Sequence, residues 1–230
     1  MAVDPKLTDL FNAVATKAGL KQEIYAKTLE VFSTFKKVSE SMTSDYHQII
    51  RQTKYPIPFE FKDVGPFEFE LRFGGDLLIF FMHSNVFEIP RDHEIMKLSY
   101  IKEDKTRSYC GIIHIFNFLN DSFHYRRLND VGYLIGRVFV NRENHYFIEG
   151  KREVGLLYNN FTDSELNYDA VQTILESSIR YTINFDLLTP PYENMKEVTV
   201  EEMQSVRENM QIRTGKRLGF RFQADKGAEG

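Results

Sequence analysis

The sequence predicts an α+β fold, a largely antiparallel Phe-rich sheet flanked by a long N-terminal helix and two C-terminal helices. Three observations carry that expectation. Apolar residues recur at spacings of three and four up to about residue 53, alternate with a period of two from residue 57, and return to helical spacing after residue 161. The order helices, strands, helices belongs to α+β architecture; strand–helix alternation is missing, which argues against a doubly wound nucleotide fold. The expected organisation is an N-terminal helical segment over 1–56, a sheet over 57–160, C-terminal helices over 161–213 and a basic tail over 214–230, all within one compact domain.

Asp4-Pro5 reads as a helix cap followed by proline at the first helical position. Leu7, Leu10, Phe11, Val14 and Ala18 follow at helical spacing, and Gly19 is expected to end or bend this helix. From Gly19 to Pro56 there is neither Gly nor Pro. Ile24, Thr28, Val31, Phe35, Val38, Met42 and Ile49 form a stripe there, widened by Leu29, Phe32 and Tyr46. An unbroken helix over 20–53 would be roughly 50 Å long, against a radius of gyration of about 17 Å for a domain of this size. Two readings stand: ordinary core helices with a bend near Ser39-Glu40-Ser41, or an overlong helix whose stripe is covered by a second copy of the chain.

Phe59–Lys62 and Phe67–Phe73 alternate strictly around the turn Asp63-Val-Gly-Pro66 and predict a half-buried hairpin. Asp76–Met82 reads as a central strand and Val86–Ile89 as a short one. Ile95–Ile101 and Tyr109–Leu119 read as a pair, Val131–Val140 and His145–Glu149 as a hairpin around Asn141–Asn144, and Val154–Tyr158 as one more strand. Thr162–Glu165 and Thr199–Glu202 have the form of capping boxes, each followed by an apolar helical pattern. The tail from Gly215 to Phe222 is basic and aromatic, and can be read as a final strand, a frayed tail or an arm that orders on a partner.

The chain has 230 residues, a net charge of −4, 20 Phe, 12 Tyr and one cysteine, Cys110. That aromatic content excludes a disordered chain. A general nucleic-acid coat would be basic, so nucleic acid is not the favoured partner, though local binding stays open. The charge is uneven: −4 over 59–106, +2 over 107–160, −7 over 161–210 and +3 over 211–230. A lone cysteine forms no internal disulfide, and no apolar run approaches the ~20 residues of a membrane helix, so a cytoplasmic location is expected, with no membrane partner.

No motif in the chain fixes a chemistry, and no cofactor or metal is expected. Nucleophile-elbow, phosphate-loop and dinucleotide fingerprints are absent. The six histidines show no metal-ligand spacing. Cys110 is expected to be a buried, inert thiol. Asp130 with Glu149-Gly-Lys151 resembles the metal site of PD-(D/E)xK nucleases, where two carboxylates hold a divalent cation and a lysine positions water. A simple hairpin around Asn141–Asn144 would set Gly136 opposite Glu149. Asp130 would then lie roughly 20 Å away, too far to share a metal.

Arg126, Arg127, Arg137 and Arg152, interleaved with Tyr133, form a cationic cluster suited to phosphate or carboxylate recognition. The plainer reading is a solvated face whose arginines pair with the acidic C-terminal helices. The functional expectation is a non-catalytic intracellular binding or regulatory module. It would form a homo-oligomer through Ile24, Val31, Phe35, Val38, Met42 and Ile49, and recognise an anionic small molecule or protein near the arginines. The alternatives are a metal-dependent nuclease or phosphodiesterase using Asp130, Glu149 and Lys151, and a structural subunit of a larger assembly.

Overall fold

The first helix begins where the sequence places it. The Asp4 carboxylate accepts a hydrogen bond from the Lys6 amide at 3.0 Å, with Pro5 as the first helical residue. The structure is a computed structural model that describes residues 4–50, 54–55, 57–128, 130–151, 154–155, 160–186, 189, 191–194 and 196–209. Helix α1 runs unbroken over Pro5–Ile49, 45 residues, or about 67 Å. Neither Gly19 nor Ser39–Ser41 interrupts it. A single exposed glycine costs a helix only about 1 kcal/mol relative to alanine, and no proline follows to stop the chain.

Seven strands are described: β1 (Phe59–Gly65), β2 (Glu68–Phe73), β3 (Asp76–Met82), β4 (Phe87–Glu88), β5 (Tyr109–Leu119), β6 (Tyr133–Val140) and β7 (Tyr146–Gly150). They form one antiparallel sheet in the order β1-β2-β3-β5-β6-β7, with β4 paired to the start of β5. Apart from β3, which pairs with β5 rather than β4, consecutive strands lie side by side. The period-two pattern sends Phe69, Leu71, Phe73, Leu78, Phe80, Met82, Ile113, Ile115, Val138 and Val140 to one buried face. Aromatic pairs reinforce it, and Phe69 stacks on its cross-strand partner Phe80 at 4.5 Å.

Helix α1 crosses that face diagonally. Thr28 lies on Gly111 of β5, Phe32 against Phe69 of β2, Phe35 against Phe80 of β3 and Tyr46 against Phe59 of β1. After β5 comes the short helix α3 (Asn120–His124), and beside α1 packs α4 (Tyr168–Ile183), whose Val171, Ile174 and Leu175 are buried in the same cluster. At Gly111 a Cβ would stand 2.0 Å from the Thr28 Oγ1, so the helix rests on bare strand backbone.

Four further expectations are corrected. Ile95–Ile101 is not a strand but a 3-10 turn (Glu94–Lys97) followed by α2 (Ser99–Glu103). Ile95, Leu98 and Ile101 recur every three residues, a spacing a tight helix serves. Asp104 then starts a further turn by accepting from the Thr106 amide at 2.9 Å. Val154 and Gly155 are helical rather than extended, and 156–159 lie outside the described residues. Thr162–Glu165 caps nothing; α4 starts at Tyr168, where Asn167 Oδ1 accepts from the Ala170 amide at 2.9 Å. The second capping box forms as expected, with reciprocal Thr199 and Glu202 bonds opening α5 (Val200–Asn209).

The fourth correction shifts a register. The β6–β7 loop holds five residues, Asn141–His145, so Val140 pairs with Tyr146 and Arg137 with Glu149. Asn141 Oδ1 accepts from the Glu143 and His145 amides, and Asn144 takes a positive φ of 64°. Asparagine tolerates that conformation better than most residues. Gly136 consequently faces Gly150, not Glu149.

Candidate functional site

The one-residue shift creates a polar row on the sheet face away from α1. Across the strands it reads Glu68 (β2), Phe81 (β3), His114 (β5), Arg137 (β6) and Glu149 (β7). Arg137 pairs with Glu149 across the strands, and His93 reaches down from the 84–108 connection to the other carboxylate oxygen at 3.0 Å. Burial, then Arg137 and His83, hold the pKa of His114 below its ordinary 6.5. Its ring lies 5.7 Å from that of Phe116.

On one side of this row the connection closes the sheet with a second core of Ile89, Tyr100, Ile101, Cys110, Ile112, Phe139, Phe147 and Phe161. Cys110 is the buried thiol the sequence implies, and desolvation raises its pKa far above the usual thiol range.

A polar cluster pins the connection to the β6–β7 loop. Tyr100 donates to Glu143 at 2.7 Å and accepts from Asn141 at 2.8 Å. Arg107 donates to Glu143 at 3.0 Å and lies over the Tyr100 ring, while Arg142 binds Asp104 at 2.7 Å. Burial alone would raise the Glu143 pKa, but bonds from Tyr100 and Arg107, with the Arg142 charge, hold it below the ordinary value. Burial and the Glu143 bond in turn push the Tyr100 phenol well up. The sequence reading missed Tyr100, Arg107, Asn141 and Glu143 because they are brought together from segments some forty residues apart.

The predicted cationic residues do not form one patch. Arg137 and Tyr133 project to opposite faces of the sheet, because a bulge between Ile115 and Phe116 puts Ile135 and Gly136 on the same side. Tyr133 packs toward α4, its ring 5.8 Å from Phe185. Arg126 is exposed with a positive φ of 50°. Arg127 is 8% exposed, with its guanidinium 5.3 Å from the Tyr125 ring, and its Nε and Nη1 are buried without a hydrogen-bond partner among the described residues. Arg152 lies outside the described residues, as does the basic tail 214–230. Arg137 and Arg142 pair with acids of the sheet and its connection, not with the C-terminal helices.

Of the nuclease-like trio, Glu149 is engaged by Arg137 and His93, and Asp130 accepts from Ser122 at 2.8 Å. Arg137, not Asp130, lies opposite Glu149, and Asp130 sits outside β6, three residues before Tyr133 opens it, in a turn where its amide donates to the Arg127 carbonyl. The Lys151 amide donates to Ile135. Among the described residues, no group of three His, Cys, Asp or Glu converges to hold a metal ion.

The residues predicted to meet a second copy are mostly claimed by the chain's own core. Ile24, Val31, Phe35 and Val38 are buried under α1, Met42 packs against that core, and Ile49 is exposed. What stays bare is the part of α1 before them. Residues 5–19 are all exposed, among them Leu7, Leu10, Phe11 and Val14 at 44–59%. At the base of this arm Lys17 bonds the Tyr109 hydroxyl, which donates to Glu88 at 2.7 Å.

No protein-family model, no curated protein and no solved structure matches this chain. Among the described residues no helix is long and apolar enough to cross a membrane.

The depressed pKa of His114 gives a signed expectation. The unfolded chain takes up this proton more readily than the folded one, so the stability contributed at neutral pH is lost as pH falls below 6.5 toward the folded value. Thermal unfolding of the wild type should therefore drop more between pH 7 and pH 5 than that of His114→Gln. Parallel pH dependence of the two would contradict this account of His114.

Proposed function

We propose that the chain is a non-catalytic binding and regulatory module of the cytoplasm, that it self-associates through the N-terminal part of α1, and that it recognises an anionic ligand or protein partner. The observation that carries self-association is the ridge of Leu7, Leu10, Phe11 and Val14 on a fully exposed helical arm. An isolated helix of about 15 residues is marginal in water, and contiguous exposed apolar side chains mark interaction surfaces. Burying that ridge against a second copy would stabilise both arms. A buried free thiol, Cys110, suits a reducing compartment.

Substitutions on the arm separate association from folding. Phe35 and Val38 do not, since both are wholly buried and a charge there would disrupt the core itself. Sedimentation equilibrium should find the wild type in a concentration-dependent monomer–dimer balance. Phe11→Asp should be monomeric with an unchanged unfolding midpoint of the body. A wild type that is monomeric at every concentration contradicts the reading.

Anion recognition is supported by Arg127. A guanidinium with two buried nitrogens that have no partner among the described residues is costly, and its planar fork matches a phosphate or carboxylate. Inorganic phosphate should raise the unfolding temperature of the wild type and leave Arg127→Leu unmoved. Equal shifts in both would remove Arg127 from the proposal.

A further inference from the structure

The bare ridge continues the seam by which α1 grips its own sheet. Alternating steps of three and four link Asp4, Leu7, Phe11, Val14, Ala18, Lys21 and Tyr25 to Thr28, Phe32, Phe35 and Ser39, an unbroken heptad series. Its later members are buried against the sheet or α4, and its early members are exposed. A straight α-helix drifts about 20° per heptad from such a series. Over the three heptads from Phe32 back to Phe11 the seam turns by about 60°, so the ridge still faces the side on which the sheet lies.

That placement limits what can cover it. A helix laid on the ridge must end where the chain's own body begins, between Lys17, which bonds Tyr109 of β5, and Ile24, the first buried residue of α1. A parallel second copy does not end there: past its own residue 20 its α1 would run into the first chain's sheet. An antiparallel second copy does end there, since its helix starts at Pro5 and its body lies beyond the first chain's Asp4.

We infer that two chains pair arm to arm, antiparallel about a two-fold axis near residues 12 and 13. Pairing then sets Phe11 on the partner's Val14, Leu7 on the partner's Ala18 and Asp4 beside the partner's Lys21, each contact made twice. Large side chains meet small ones, and the ion pair falls at the rim on each end. The two bodies sit at opposite ends of a helical rod, with the open sheet face carrying His114 and Arg137 free on both. This arrangement rests on the self-association proposed above and specifies its geometry.

Spin labels on Lys6→Cys and on Asn12→Cys decide it, both being exposed arm positions while the native Cys110 is buried. In the antiparallel pair the two residues 12 lie side by side, while the two residues 6 are offset along the axis by thirteen residues, about 20 Å. Pulsed dipolar spectroscopy should therefore give a much longer distance at position 6 than at position 12. Equal short distances at both positions mean parallel arms and overturn the antiparallel geometry while leaving self-association intact. Absence of any intermolecular coupling, with a monomer by sedimentation, means that the ridge serves a different protein and overturns both.

Discussion

Everything in this fold is arranged around the contact between α1 and the sheet. At Gly111 the helix lies directly on strand backbone, with Thr28 in the space a side chain would take. From that point Phe32, Phe35 and Tyr46 step across β2, β3 and β1, each against an aromatic partner. The contact fixes the line of the helix, and the line fixes two further things. It leaves a groove beside α1 that α4 fills with Val171, Ile174 and Leu175. It also leaves the first fifteen helical residues exposed, with no described residue burying them.

The opposite face is organised by a different constraint, the satisfaction of buried polar groups. The connection between β3 and β5 must cover Ile112, Phe139 and Phe147, and it contains many charged residues. Tyr100, Arg107, Asn141 and Glu143 solve this by bonding one another, so the strand-to-loop seam is closed without an orphaned charge. Arg137, Glu149 and His93 form the border of that covered zone. Beyond the border Phe81 and Leu134 on the same face are exposed. Arg127 departs from the rule, with two buried nitrogens that have no partner among the described residues.

The strands were readable where one face is apolar and the other charged, as in Phe59–Phe73, because a period of two admits little else. The capping box at Thr199 was readable because it is local. Three things were not. A five-residue loop and a four-residue turn leave the same apolar run on β6, and only the Asn141 side-chain bonds choose between them. The Ile95–Ile101 segment meets both a strand and a tight-helix spacing. The heptad along α1 is uniform, so nothing local marks where the chain's own sheet stops covering it. That last point bears on the expected interface: of Ile24, Val31, Phe35, Val38, Met42 and Ile49, which the sequence assigns to a second copy, the chain's own core buries the first four and packs against Met42, and Ile49 is exposed.

The central claim is that one continuous helix has two environments, buried from about Ile24 to Val38 and bare from Leu7 to Val14. Amide hydrogen exchange along α1, followed from dilute to concentrated protein, measures it residue by residue. Amides of residues 24–38 should exchange at the rate of global unfolding at every concentration. Those of residues 7–14 should exchange fast in dilute solution and become protected as concentration rises. Strong protection of residues 7–14 in the dilute monomer, or equal exchange across the two regions, would contradict the account.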